Sequence, residues 1–227
     1  MPTSTRLLFS RPQFLLATAA MASGVALVIA VLSGTSLAFM LILLGSFAGL
    51  AFAFKWSRSS AAGRRIIHKK VTVGLLAGLI ATAAYDASRL LLVKLGGFSV
   101  SPFKALPIFG ILILGENAPK LATDVAGIAY HLLNGMMFTV AYCFIFGGRH
   151  WLFGVLWALG LEASMLMLYP GWLHLEQVMQ EFTVMSMTGH IVYGAVLGSL
   201  CQRWLNTTTS DGRAFAVDAT ERDIRRR

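Results

Sequence analysis

Charge is scarce in this sequence. Only 13% of its 227 residues are Asp, Glu, Lys or Arg, where a soluble globular domain carries about 25%. Such a chain cannot clothe a soluble surface, and its 56% hydrophobic content exceeds what one core can hide. Cysteine is nearly absent. Cys143 and Cys201 stand alone, in neither CxxC nor Cys/His spacing, which excludes a disulfide scaffold and a zinc finger and leaves two packing thiols. Acidic residues are few, 10 against 19 basic ones, for a net charge of +9. The basic residues lie between and after apolar runs and form no basic face, so the surplus speaks for membrane topology and against nucleic acid. No P-loop, dinucleotide-binding, HExxH or GxSxG pattern occurs, so soluble-type chemistry on nucleotides or esters finds no support.

What the sequence does hold is a series of apolar runs of about 20 residues, each long enough to cross a hydrocarbon layer of ~30 Å. They read as spans at 14–33, 36–55, 71–93, 123–147, 151–170 and 183–203. The expected fold is an all-α polytopic membrane bundle of six helices. Arg6 and Arg11 precede the first run as they would in a signal peptide. The run is longer than a usual signal core and a second follows at once, so it is expected to stay as a helix. The tight Ser33–Ser36 turn makes the first two spans a hairpin, residues 1–57. A basic loop, 58–70, leads to a four-helix core, 71–204, with an outer segment at 94–122; a polar, disordered tail is expected from 205 to 227. Within the outer segment, 103–115 is apolar but too short to span and reads as re-entrant or interfacial. Residues 172–182, with Trp172, His174, Glu176, Gln177 and Glu181, suggest a short surface helix.

Lys and Arg orient the bundle. Arg6, Arg11, Lys55, Arg58, Arg64, Arg65, Lys69, Lys70, Arg149, Arg203, Arg213, Arg222, Arg225, Arg226 and Arg227 fall on one side; only Lys94, Lys104 and Lys120 fall on the other, with Arg89 inside a span. The positive-inside rule puts the first side, and both chain ends, in the cytoplasm. Its basic loops suit the anionic lipid heads of that face.

The last four spans resemble one another. Asp86-Ala-Ser-Arg-Leu-Leu-Leu92 in the third matches Glu162-Ala-Ser-Met-Leu-Met-Leu168 in the fifth, and His131-Leu-Leu-Asn-Gly135 in the fourth matches His190-Ile-Val-Tyr-Gly194 in the sixth. Gly78 and Gly154 each stand eight residues before the carboxylate. This is the pattern of a parallel two-helix repeat about a pseudo-two-fold axis along the membrane normal. The Gly74–Gly78 and Gly194–Gly198 pairs are GxxxG faces, which let helices approach closely, within a chain or between copies in a homo-oligomer.

Asp86, His131, Glu162 and His190 lie seven or eight residues from the outer ends of their spans, roughly 10–12 Å deep. Ionisable groups at that depth face a bundle interior or a water-filled cavity. Helical spacing gives each an inward stripe: Thr82–Asp86–Arg89, Gly127–His131–Asn134–Phe138–Tyr142, Ala158–Glu162–Met165–Tyr169 and Ser186–His190–Tyr193–Leu197. Two imidazoles and two carboxylates suit three chemistries: a divalent metal site, a proton relay, or b-type haem on the two histidines. In each, Tyr85, Arg89, Asn134 and Tyr193 would give supporting contacts. A structural reading stands beside them, in which Asp86 pairs with Arg89 and Glu162 with a histidine as interhelical glue. His68, His150 and His174 lie in loops and read as solvated. The function classes left open are a small transporter or proton pathway, a metal- or haem-containing redox protein, and an assembly factor without chemistry.

From about residue 123 to 203 the chain resembles YagU-like multipass inner-membrane proteins of bacteria. The likeness rests on Phe138-Thr-Val-Ala-Tyr-Cys143, on Trp151 and Gly154 at a helix start, on the Tyr169-Pro170 exit, and on Gly189-His190 leading to Arg203. A carboxylate at Glu162 is not carried over from that family. The resemblance implies an inner-membrane location and no particular reaction.

The charge asymmetry predicts that reporters fused after Lys70, after Glu116 and at the C-terminus read inside, outside and inside. A C-terminal reporter found outside would overturn the six-span reading and every depth above.

Overall fold

A computed structural model describes the backbone of residues 11–98, 100–173 and 176–224, and side chains at 13–98, 100–168, 171 and 177–207. Among these residues every regular element is helical: α1 (Arg11–Ala20), α2 (Ala22–Ser33), α3 (Leu37–Ser57), α4 (Ala61–Gly96), α5 (Ala105–Leu114), α6 (Lys120–Ile145), α7 (Leu152–Leu173), a 3-10 turn (Glu176–Val178) and α8 (Met179–Ile224). Four of them, α3, α4, α6 and α8, are long and apolar enough to cross a membrane, and α1 with α2 makes a fifth if that bent pair is one span. The Leu152–Leu168 stretch of α7 and the whole of α5 are shorter and apolar. These helices place the chain in a membrane. Its exterior agrees: Ile42, Phe47, Leu50 and Phe54 on α3 are largely uncovered, which hydrocarbon tolerates and water does not.

Helix ends follow local chemistry. Ser60 caps α4 by accepting the Gly63 N–H at 3.2 Å. Gly34 and Gly97 close α2 and α4 with φ of 69° and 65°, a left-handed turn that glycine makes without strain. Three boundaries differ from the sequence reading. The first span is broken at Met21, where its halves meet at 48°. The basic segment 58–70 is no loop beyond Ser60: α4 begins at Ala61 and runs 36 residues, so Arg64, Arg65, Lys69 and Lys70 ride on its first turns. The backbone of α8 stays helical to Ile224, through most of the segment expected to be a disordered tail. In the expected surface helix, residues 176–178 form the 3-10 turn and 179–182 already belong to α8; Trp172 and His174 lie outside the described side chains.

Close approach is set by glycine. On α4, a Cβ at Gly74 would lie 2.7 Å from the Val140 Cα, and one at Gly78 would lie 2.6 Å from the Met136 Cα of α6. On α8, a Cβ added at Gly194 would lie 2.6 Å from the Val155 Cα, and one at Gly198 would meet the backbone of Trp151. Both GxxxG faces, expected to let helices approach closely, do so within the chain. The outer segment 103–115 holds α5, which lies against α6 with Gly110 on the Thr123 carbonyl and Gly127 on the Leu106 carbonyl. Helices α1 and α2 pack on α6 as well as on α3, and Tyr130 ties them down by donating its hydroxyl hydrogen to the Ser23 carbonyl at 2.9 Å.

The two helix pairs, α4 with α6 and α7 with α8, cross alike. Gly78 meets the Gly135 carbonyl, and Gly154 meets the Gly194 carbonyl, which are matched positions. The pairs are not joined alike. Helix α4 packs extensively on α8, and nothing of like extent joins α7 to α6, so the expected pseudo-two-fold is not the arrangement seen. One matched position differs in keeping with this. Gly189 leaves room for Tyr85 of α4, whose ring edge would be 2.7 Å from an added Cβ; the residue in register on α6 is Tyr130, turned toward Phe109 of α5 with ring centroids 5.2 Å apart.

Gly110→Ala should destabilise the protein by about 1–3 kcal/mol, because its methyl would meet backbone that cannot move aside. Gly45→Ala and Gly49→Ala on α3, where an added Cβ meets nothing, should change stability by less than about 0.5 kcal/mol. Thermal melting of the three variants in one detergent checks the contrast.

Candidate functional site: two imidazole–carboxylate pairs around a cavity

The glycine crossings set the register that brings carboxylate to imidazole. Eight residues beyond Gly78, Asp86 of α4 meets His131 of α6: Nε2 lies 3.1 Å from each carboxylate oxygen. Eight residues beyond Gly154, Glu162 of α7 meets His190 of α8, with Nδ1 at 2.9 Å from Oε2. His190 Nδ1 is also 3.0 Å from the Ser186 carbonyl. A carbonyl only accepts, so this nitrogen carries the hydrogen and Nε2 is the free position. On His131, Nε2 lies between both oxygens of Asp86, so that nitrogen is the engaged one and Nδ1 is the other. Each imidazole thus has one nitrogen held by a carboxylate and one left for proton exchange.

The two pairs differ in shelter. Glu162 and His190 side chains are 2% and 11% exposed, Asp86 and His131 22% and 19%. Tyr85 touches both: its ring centroid is 5.9 Å from that of His131 and 5.0 Å from that of His190. The Arg89 guanidinium lies over the Tyr85 ring at 4.7 Å, a cation–π contact that offsets part of the cost of burying it. The pairing of Asp86 with Arg89 is not formed. Asp86 turns to His131, and the guanidinium one turn further along α4 lies over the neighbouring Tyr85 ring instead.

These groups surround a cavity of about 90 Å³ lined by Tyr85, Arg89, His131, Asn134, Glu162, His190 and Tyr193 on the helix side and by Ser101–Leu106 and Phe109 on the outer-segment side. Asp86 stands behind His131 and does not line it. Three buried polar atoms on this lining have no partner among the described residues: Glu162 Oε1, Arg89 Nε and Asn134 Oδ1. Tyr193 serves differently. Its hydroxyl donates to the Gly135 carbonyl at 2.6 Å and lies 2.7 Å from the Thr139 hydroxyl, so it fastens α8 to α6 below the imidazoles. Of the expected supporting residues, Tyr85 and Arg89 sit at the pairs, Asn134 lines the cavity and Tyr193 acts at the helix crossing.

The four ionisable residues do not converge on one point. Among the described residues no three of His, Cys, Asp and Glu form a group that could hold a metal ion, because each carboxylate is engaged by its own imidazole and the Tyr85 ring lies against both. Two features of this region were not read from sequence: the Ser186 carbonyl on His190, and Gly189, whose missing side chain admits Tyr85 and Arg89. Position 186 lies one turn before His190 on the stripe already drawn, so a hydrogen bond to that carbonyl was within reach of the spacing. Cys143 and Cys201, also away from the site, face each other with sulfurs 3.4 Å apart.

The family described as a family of unknown function (DUF6789) matches residues 68–211. That is more than half of the chain, so the protein belongs to this family, and the matched stretch contains both helix pairs. No curated protein and no solved structure matches the chain.

Asp86→Leu leaves His131 Nε2 without its partner and should cost about 1–3 kcal/mol, whereas Asp86→Asn keeps a polar partner and should cost less. Detergent melting checks this; a leucine variant as stable as the parent would mean the pair contributes nothing to the fold.

Proposed function

We propose that this DUF6789 protein is a proton pathway of a bacterial inner membrane, coupled to movement of a small solute. In this reading it has six spans, with α7 as the fifth, both ends in the cytoplasm, and the cavity facing the periplasmic side. The observation that carries it is the pair of imidazoles, each holding a carboxylate with one nitrogen, both against Tyr85 on the wall of one cavity. A histidine so placed can take a proton on its free nitrogen and release the one on its bound nitrogen to the carboxylate, a step that needs no large movement. The drier Glu162–His190 pair and the wetter Asp86–His131 pair would be its two stations.

The inner-membrane placement draws support from the YagU-like resemblance, and the orientation from the distribution of Lys and Arg. Exposed Arg64 and Arg65 at the start of α4 suit anionic lipid heads at the cytoplasmic face. We read the α4–α6 and α7–α8 pairs as two copies of one ancestral unit. Matched glycines at the crossings and matched carboxylate–imidazole pairs support that reading. No comparable observation favours the metal, haem or assembly readings.

The test is proton flux. Purified protein in liposomes holding a trapped pH dye, with a potassium diffusion potential imposed by valinomycin, should acidify the interior faster than empty liposomes. Glu162→Gln and His190→Gln should slow this by about 10²-fold, the low end for loss of a positioned proton carrier, while accumulating normally. Flux no greater than in empty liposomes, or unchanged in both variants, overturns the proposal.

A further inference from the structure

We propose that the cavity binds a small zwitterion, an α-amino acid with an apolar side chain, whose carboxylate sits on Arg89 and whose ammonium sits on Glu162 and Asn134. This names the solute class of the pathway above and rests on that reading only for the claim that the ligand moves.

The inference starts from what is left over. Arg89 is 8% exposed, Asn134 7% and Glu162 1%, and each presents a polar atom without a partner among the described residues. Buried polar groups are nearly always satisfied, and a group left alone costs the full desolvation of that atom. The Arg89 guanidinium has the Tyr85 ring beneath it and forms no ion pair among the described residues. Glu162 has one oxygen on His190 and the other free. A buried guanidinium and a buried carboxyl group therefore line the same cavity, with the exposed Lys104 also on its lining, and the two buried groups form no ion pair with each other.

The complement of these atoms is specific. Arg89 Nε is a donor and calls for an acceptor carrying negative charge; Glu162 Oε1 and Asn134 Oδ1 are acceptors and call for donors, one of them cationic. A simple anion would satisfy Arg89 and be repelled by Glu162. An amine or metal cation would suit Glu162 and be repelled by Arg89. A zwitterion satisfies both and brings no net charge into a low-dielectric site. Phe103, Phe109, Phe138 and Phe182 make up much of the remaining wall, beside Thr82, Ser101, Ser186 and Lys104, and these four rings fit a hydrocarbon side chain. The cavity, about 90 Å³, is several times the roughly 10–15 Å³ that a single water occupies by this measure.

Equilibrium binding to the purified full chain tests this, with radiolabelled alanine, valine, leucine and phenylalanine as probes. Each is compared with its decarboxylated amine and its deaminated acid; for leucine these are isoamylamine and 4-methylpentanoate. At least one amino acid should bind, and loss of either charged group should weaken it about 10²-fold or more, as expected where a site's own buried polar groups are left unpaired. Arg89→Gln and Glu162→Gln should each weaken binding by tenfold or more. Each variant is paired with gel filtration, and a misfolded one is replaced by competition of the amine and acid analogues against the parent protein. If no amino acid binds, or if the amine or acid binds as well as its amino acid, the inference is overturned. Binding is read without a gradient. Protein that binds leucine yet conducts no protons overturns the proton pathway and keeps the ligand, and protein that conducts without binding overturns the ligand alone.

Discussion

An ionisable side chain below the surface of a bilayer has to find its partner on another helix, because hydrocarbon will not solvate it. Everything distinctive in this fold follows from meeting that demand twice. The carboxylates on α4 and α7 meet imidazoles on α6 and α8 at about 3 Å, a distance that helices with larger residues at their crossings could not reach in this register. Gly78 against Gly135 and Gly154 against Gly194 bring the backbones into contact, and the eight residues from glycine to carboxylate then set the height at which the acids meet the histidines. The glycines are worth little in themselves. Their effect is to make the polar pairs geometrically possible.

The two halves then differ at one in-register position. Glycine at 189 lets Tyr85 and Arg89 slip between α4 and α8, while tyrosine at 130 turns outward to α5 and α2. Both halves line the cavity, and only one of them also carries α5 and α2 on its tyrosine. The result is an interior in which one pair is nearly dry, the other partly wet, and a guanidinium is held on an aromatic face between them.

Much of this was legible in the residues. The apolar runs marked α3, α4, α6, α7 and α8, because hydrocarbon imposes length and composition directly on a helix. Asp86, His131, Glu162 and His190 stood out for the same energetic reason, and helical spacing put Asn134, Phe138, Glu162 and Ser186 on buried faces. Partner choice was not legible. Asp86 and Arg89 are one turn apart and look paired by spacing, but spacing along one helix says nothing of a histidine on the next. Nor could four ionisable residues at one depth be resolved into two pairs, since depth fixes height and leaves azimuth free. The run of α4 below Val71 was hidden because Arg64, Arg65, Lys69 and Lys70 end an apolar pattern without ending a helix. The 48° bend at Met21 has no proline to announce it.

The unbroken length of α4 has a mechanical consequence. One rod carries the basic turns at its foot and Asp86, Tyr85 and Arg89 near its head. About 24 Å of helix, at 1.5 Å per residue, separates Lys70 from Asp86. Lys69 is bonded to the Leu205 carbonyl at 3.0 Å and Lys70 reaches Gln13 at 3.5 Å, so the foot is also bolted to its neighbours. In the six-span reading proposed above, the site hangs from the opposite face of the membrane, and its distance from the near face is whatever bilayer thickness remains. Lipid composition is thereby a dial on its hydration: a thinner bilayer would raise the polar pairs toward water, and a thicker one would draw them deeper into hydrocarbon.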